Sequence, residues 1–478
     1  MSEKSLKVNS ILNIIKTLSS ILFPLITFPY ISRVLQPENV GRVNFGVSFV
    51  SYFSLIASLG INTYAIRECS SARNEKKKLE KLASEIFSIN ICTTIIAYVF
   101  LIITLVLFRK LDNYRILIII QSTTIFFTTW GADWLNSAME DFKYITLRSI
   151  AFQFISLALM FLFVKEPKDY LKYAAITVIS SSGSNLTNVF YRKKYCSIHF
   201  TSQMSLKIHL KPIILLFVMI LAQNIFNNAD ITMLGLMKGD FAVGIYSTAY
   251  KIKNIIVQVT SSLLWVVMPR MSLYFNEGNY SKINTMLKKV LGLMVFIGFP
   301  CIAGCIALSS EIVQMIGGSQ YTSAKIPLII LMLSFFVDIF GGSFLGNMVC
   351  LPGKNEKEFM KACCFAAAVN IILNYILIPY GGPTSAAFTS GISACIIFIW
   401  LFLKKDKKIE MNYVFEVCKA PLVGSLILII YCFIIKQFVF GVFLRIIICI
   451  LGSIFLYGGV NVIMKNNVTT ILIDFVKK

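Results

Sequence analysis

Charge is what this chain has least of. Asp, Glu, Lys and Arg make up 14% of its 478 residues, against about a quarter in ordinary soluble domains, and only 23 residues are acidic. Hydrophobic residues fill 57% and the mean hydropathy is +0.76, which excludes a single soluble core. No C-x-x-C occurs. The twelve cysteines are scattered, mostly within apolar stretches, and none stands with His199 or His209 in a metal-ligand pattern. A metal centre or disulfide framework is therefore not expected, and the thiols read as small buried hydrophobes. Long polar segments are missing too: no connection exceeds roughly twenty residues, which leaves no room for a soluble catalytic domain. A secretory leader is also not expected, because the first apolar stretch is too long and no small-residue cleavage site follows it.

What is present is a succession of apolar stretches of about 20 residues, each able to cross a ~30 Å hydrocarbon layer at ~1.5 Å per residue. Fourteen are expected, the first from Val8 to Tyr30 and the last from Val439 to Met464. The 45 Lys and Arg give a net charge of +22. In a soluble protein that excess points to nucleic acid, but in a bilayer protein it reports topology. Alternating sides from the N-terminus, one set of loops with both termini holds 30 basic residues, the other set 11, and four lie within spans. The basic side is the cytoplasmic one, so both termini are expected there.

The chain repeats itself weakly. At an offset of 203 residues, Val40 and Gly41 fall on Val243 and Gly244, and Arg67 falls on Arg270. At 205, Thr129 and Asp133 fall on Ser334 and Asp338. The expected architecture is all-α and polytopic, with two six-helix lobes around a central cavity and a C-terminal helix pair. Residues 1–211 form the first lobe, 212–408 the second, and 409–478 the final pair and tail. Parallel repeats of this kind are a transporter signature.

Several spans carry a polar stripe at steps of three and four residues, one face of a helix. The first span has Asn9, Asn13, Lys16, Ser20 and Thr27; the second has Asn44, Ser48, Ser51, Ser54 and Ser58. The seventh adds Gln223, Asn227 and Asp230, and the eighth Ser247, Lys251, Asn254, Gln258 and Ser261. Uncharged stripes serve either a wet cavity or interhelical hydrogen bonds of ~0.6 kcal/mol each. Charged positions narrow the choice, because an ionised side chain at the bilayer centre costs at least ~2.5 kcal/mol without a partner or water. Lys16 lies roughly 12 Å past the inner end of its span, and Lys251 as far past the outer end of its own. Both are candidate substrate-binding residues, as is Lys253 on another face. Arg33, Arg42, Arg67 and Arg270 at span ends either bind phosphate, which a guanidinium matches with paired donors, or anchor the interfaces. Asp133, Asp230 and Asp338 are either sites for a coupling proton or sodium ion or neutralisers of cavity cations.

"FPYISRVLQPENVGRVNFGVSFVSYFSLIASLGINTYAIRE", "WGADWLNSAMEDFKYIT", "VGIYSTAYKI" and "AVNIILNYILIPYGGPTSAAFTSGISA" stand in an order and spacing that resembles the bacterial polysaccharide repeat-unit flippases. These belong to the multidrug/oligosaccharidyl-lipid/polysaccharide exporter superfamily. Two departures are visible, Gln36 and Pro37 where members commonly have Leu-Gly, and Ser385 to Ala387 where they have Gly-Ala-Ala. The resemblance implies transport of an undecaprenyl-diphosphate-linked oligosaccharide from the inner to the outer leaflet of the plasma membrane by alternating access. It implies no cofactor beyond a possible coupling ion, and as partners the lipid bilayer and the pathway's polymerase and transferases, not nucleic acid. A lipid-linked peptidoglycan precursor flippase, a drug or cation exporter, and a membrane-embedded glycan polymerase are the alternatives. The last fits least, since such enzymes expose a long outer loop.

Overall fold

The computed structural model describes residues 3–202, 205–466 and 468–469, with side chains at most of these positions. Among the described residues there is no β-strand. The chain divides into two compact units, Met1–Leu236 and Met237–Lys478. The first contains α1 (Glu3–Ser58), α2 (Ile61–Ser71), α3 (Lys76–Leu107), α4 (Arg115–Gly131), α5 (Trp134–Ala138), α6 (Phe142–Phe163), α7 (Tyr170–Val178), α8 (Ser184–Tyr191) and nearly all of α9 (Leu206–Lys238). The second contains α10 (Asp240–Asn276), α11 (Tyr280–Ala307), α12 (Ser309–Gly317), α13 (Lys325–Asp338), a π-helical stretch Ile339–Cys350, α14 (Glu356–Lys404), α15 (Val414–Phe438) and α16 (Val442–Ile463).

Eight helical segments among the described residues are long and apolar enough to cross a membrane, or nine if one bent pair is a single span. Two of the eight, Leu22–Ser71 and Glu356–Lys404, run 50 and 49 residues. Either would be about 75 Å long if straight, more than twice the hydrocarbon thickness. The 49-residue segment is broken once, and Leu22–Ser71 twice, the second time at Leu59 and Gly60, φ 44° and 74°, between α1 and α2. Gln36 breaks α1 at φ 63°, ψ 168°, and Gly382 breaks α14 at φ 52°, ψ −125°. Pro37 explains the first break: proline lacks an N–H and pushes the residue before it to extended ψ. The strained Gln36 is one of the two positions at which this chain departs from the flippase pattern.

Side chains are arranged as a bilayer requires. On α3, Asn90, Thr93, Thr94 and Ala97 are buried, while Ile95, Ile96, Val99, Phe100, Ile102 and Ile103 are exposed. The buried polar groups pair across helices, as they must where no water competes. Asn90 Nδ2 and Thr93 Oγ1 donate to the Ala57 carbonyl at 2.8 and 2.6 Å. Thr94 and Thr129 share a 2.8 Å hydrogen bond, and Gln121 Nε2 donates to Val43 O at 3.0 Å. The protein is thus a multi-pass, all-α membrane protein.

α9, the helix expected to open the second lobe, sets its polar face against that of α1. Ser48 Oγ bonds Thr232 Oγ1 at 2.7 Å and donates to Asn228 O at 3.0 Å, and Ser51 Oγ donates to Asn224 Oδ1 at 3.3 Å. Gly235 completes the fit, since a Cβ there would sit 2.2 Å from the Phe45 ring. The positions matched by the 205-residue offset lie at different kinds of junction: α4 breaks at the left-handed Ala132, φ 46°, immediately before Asp133, whereas α13 ends on Asp338 and runs on without a break into the π-helical stretch Ile339–Cys350.

Candidate functional site

In the second unit, α10 carries the candidate cation face. Lys251 stands eleven residues, about 16 Å, from the start of this helix. Lys251, Lys253 and Asn254 are half-buried, whereas Gln258 and Arg270 are exposed. The Lys253 ammonium lies 5.7 Å from the centre of the Tyr250 ring, a cation–π contact on its own helix. Lys251 and Asn254 share a face with Ser247, but Ser247 is buried and its hydroxyl donates to the Gly244 carbonyl at 3.3 Å, so the stretch offers an ammonium and an amide.

In the first unit, the side chains of Asn13 and Lys16 lie outside the described residues, as does that of Gln223. Arg33 is exposed. Arg42 lies over the Tyr170 ring at 5.2 Å and 3.8 Å from the Glu38 carboxylate. Arg67 is 3.0 Å from Glu68 and stacks over Tyr64 at 5.5 Å. Arg42 and Arg67 are thus engaged locally, as interface anchors are.

The three candidate carboxylates have different surroundings. Asp133 accepts from Arg148 Nη2 at 2.6 Å and from Asn136 Nδ2 at 3.1 Å. The guanidinium is nearly buried, 6% exposed, and also stacks over Tyr144 at 5.1 Å. Asn136 in turn donates to Asn188 Oδ1, and Asn188 Nδ2 donates to Gly131 O at 2.7 Å. The residues that break α4 are therefore tied to α6 and α8, and Asp133 serves as a counterion. Nearby, Asp141 accepts from the Tyr191 and Tyr195 hydroxyls and the Tyr144 amide. Burial pushes its pKa up, but these hydrogen bonds outweigh burial and hold the carboxyl below its ordinary value. Asp230 is buried beside the Ser48–Thr232 contact. Asp338 is half-buried in midspan, and among the described residues its carboxylate makes one hydrogen bond, from Ser343 Oγ at 2.9 Å, and no ion pair.

One consequence is measurable. Asp133→Ala should strand the Arg148 guanidinium and cost about 3 kcal/mol, because removing one partner of a buried pair leaves an uncompensated charge. Melting in detergent reads the loss, and Asp133→Ala with Arg148→Met should recover most of it. An unchanged melting temperature in the single variant would mean that the pair is not a structural tie.

Arg148 is absent from the candidates read in the sequence, because nothing local distinguishes it from an interfacial arginine. Glu311 was missed in the same way. It is 4% exposed and holds two cations, Lys436 at 2.8 Å and Arg445 at 2.8 Å, so that α12, α15 and α16 meet on one carboxylate. Arg445 also donates to Val439 O at 2.8 Å. The arginine counted within the last span is thus a clasp for the C-terminal pair.

Residues 6–275 match the family model described as "Polysaccharide biosynthesis protein". The chain belongs to this family. A second model, "Lipid II flippase MurJ", matches residues 242–451. Among curated proteins, one from Escherichia coli (strain K12), named provisionally as an O-antigen transporter, is 23% identical over 81% of this chain and 94% of its own length. The "Capsular polysaccharide biosynthesis protein CapF" of Staphylococcus aureus is 22% identical over 81% and 95%. Among solved structures, "Lipid II flippase MurJ, inward closed conformation" superposes with a TM-score of 0.77 at 17% identity, covering 98% of this chain and 99% of that one. An inward-facing multidrug resistance MATE family transporter of the MOP superfamily gives 0.57 at 13%, covering 80% and 98%. These likenesses show that the chain shares their fold.

Proposed function

We propose that this protein is a flippase that carries an undecaprenyl-diphosphate-linked oligosaccharide repeat unit from the inner to the outer leaflet of the bacterial plasma membrane by alternating access. On this reading it is a transporter and not an enzyme, both termini are cytoplasmic, and its substrate comes from the transferases and goes to the polymerase of the same pathway. The observation that carries the reading is the near full-length likeness to proteins named for O-antigen transport and capsular polysaccharide synthesis. The chemistry agrees. A diphosphate brings about two negative charges into a low-dielectric site, where Coulomb attraction is several-fold stronger than in water. Lys251, Lys16 and Lys253 supply the countercharge, helped by Arg33, Arg42, Arg67 and Arg270. Asn13, Asn254 and Gln258 supply amides for sugar hydroxyls. Asp338, with no ion pair among the described residues, is the best placed of the three aspartates to take a coupling proton or sodium ion.

A second reading, a lipid-linked peptidoglycan precursor as substrate, is favoured by the match of residues 242–451 to the lipid II flippase model. Deleting the gene separates the two. Loss of surface polysaccharide by at least about tenfold, with repeat units held on the inner leaflet and restored by the wild-type gene, is the expected result. Accumulation of peptidoglycan precursor with normal polysaccharide export would establish the second reading instead.

A further inference from the structure

Three groups outside the candidate site are buried together at the inner end of the first unit. His209 at the start of α9, Glu85 on α3 and Tyr64 on α2 are each at most 3% exposed. His209 Nε2 lies 2.9 Å from Glu85 Oε2, and His209 Nδ1 lies 2.7 Å from the Tyr64 hydroxyl. The Ser205 amide donates to Glu85 Oε2 at 3.4 Å. The chain leading to α9 lies along the same face of α3, where the Thr201 amide donates to Ser88 Oγ at 2.9 Å and the His199 amide to Ser84 Oγ at 3.3 Å. Three helices thus converge on one imidazole, and the His199, Thr201 and Ser205 amides tie the segment before α9 to α3 beside it.

We propose that His209, Glu85 and Tyr64 form a reversible proton-binding site whose occupancy sets how firmly α9 is held to α2 and α3, so that transport responds to pH on the cytoplasmic side. The link to transport rests on the flippase reading; the proton site does not. Imidazole is the side chain whose unperturbed charge change falls between pH 5 and 8. Both protonation states keep both ring nitrogens hydrogen-bonded. In the neutral state Nε2–H donates to Glu85, and Nδ1 accepts from the Tyr64 hydroxyl. An added proton goes to Nδ1, which then donates to the Tyr64 oxygen while the Tyr64 hydroxyl hydrogen turns away. The imidazolium cancels the carboxylate charge, so the site alternates between net negative and neutral.

The charged and titratable groups facing it come from α2, from α3 and from the segment before α9, where Cys196 packs in the same buried cluster as Tyr64 and His199 Nδ1 lies 3.5 Å from Ser84 Oγ. Arg67, Glu68 and Cys69 of α2 act on Tyr64, as does Glu85. On α3, the Lys81 ammonium is 3.9 Å from Glu85 Oε1 but 76% exposed, so water screens it. Among the described residues, the buried Glu85 carboxylate at 2.9 Å is the charge in direct contact with the imidazole.

The chain has only two histidines, so imidazole nuclear magnetic resonance of histidine-labelled protein in detergent resolves the site, with His199→Gln identifying the His209 signal. The expected result is a reversible pH-dependent change in the His209 signal that moves to lower pH in Glu85→Gln, a variant that keeps a hydrogen-bond acceptor for Nε2–H. A His209 signal that does not change with pH, or whose change is unmoved by Glu85→Gln, would overturn the proton site. In proteoliposomes at equal pH on both sides, flipping of a lipid-diphosphate oligosaccharide by wild type should change at least about threefold between pH 5.5 and 8. His209→Gln should flatten that response, and an unflattened response would overturn the link to transport. Absence of flipping in wild type at every pH would instead count against the flippase reading, with the resonance result still deciding the proton site.

Discussion

Lys251→Ala is expected to slow flipping of a lipid-diphosphate oligosaccharide by at least about tenfold while leaving the protein folded and inserted. Lys251 stands half-buried on α10, deep in a span, and its face carries Ser247 and Asn254. A phosphate about 4 Å from an ammonium gains roughly 4 kcal/mol at an effective dielectric of 20. Even a third of that, if realised on entering the membrane, is a factor of about ten in rate. Lys251→Arg should keep most of the rate because it keeps the charge. Lys253→Ala should matter less, since that ammonium already rests over the Tyr250 ring. Initial rates in proteoliposomes measure all three, and a wild-type rate in Lys251→Ala would remove Lys251 from the substrate path.

The second large effect is on stability. Glu311→Ala should leave Lys436 and Arg445, 20% and 18% exposed, without their shared carboxylate and lower stability by about 3–5 kcal/mol. Replacing both cations with Met in the same background should restore much of the loss, which distinguishes stranded charge from a mere cavity. The pH dependence follows from the sign of the shift. Burial pushes the Glu311 carboxyl up, but the hydrogen bonds from Lys436 and Arg445 outweigh burial and leave its pKa below the ordinary value. A depressed carboxyl contributes stability that is fully present above the unfolded value of about 4.3 and is lost as pH falls through the lower folded value. The clasp should therefore hold at neutral and mildly acid pH, and melting of wild type and Glu311→Ala should converge only below about pH 4.

The apolar runs made the helical class and the multi-pass topology legible in the sequence, because run length acts locally. Pairing was not legible. Arg148 and Asp133 are fifteen residues apart, Glu311 and Arg445 are 134, and Glu85 and His209 are 124, so each pair exists only through helix packing. The serine stripe of the second span shows the same limit. Its period marked a polar face correctly, but only the position of Asn224, Asn228 and Thr232 opposite Ser48 and Ser51 decides that these two hydroxyls bond a neighbouring helix. The two aspartates matched by the 205-residue offset show it too: nothing local tells that Arg148 neutralises Asp133 while Asp338 accepts from Ser343.

The most direct test of the central claim is reconstitution of the purified protein into liposomes carrying a defined undecaprenyl-diphosphate oligosaccharide on one leaflet, with its arrival on the other leaflet scored over time. The account predicts protein-dependent transfer that Lys251→Ala suppresses and that an imposed proton or sodium gradient accelerates in wild type but not in Asp338→Asn. Transport of small organic cations with no movement of the lipid-linked sugar would contradict it.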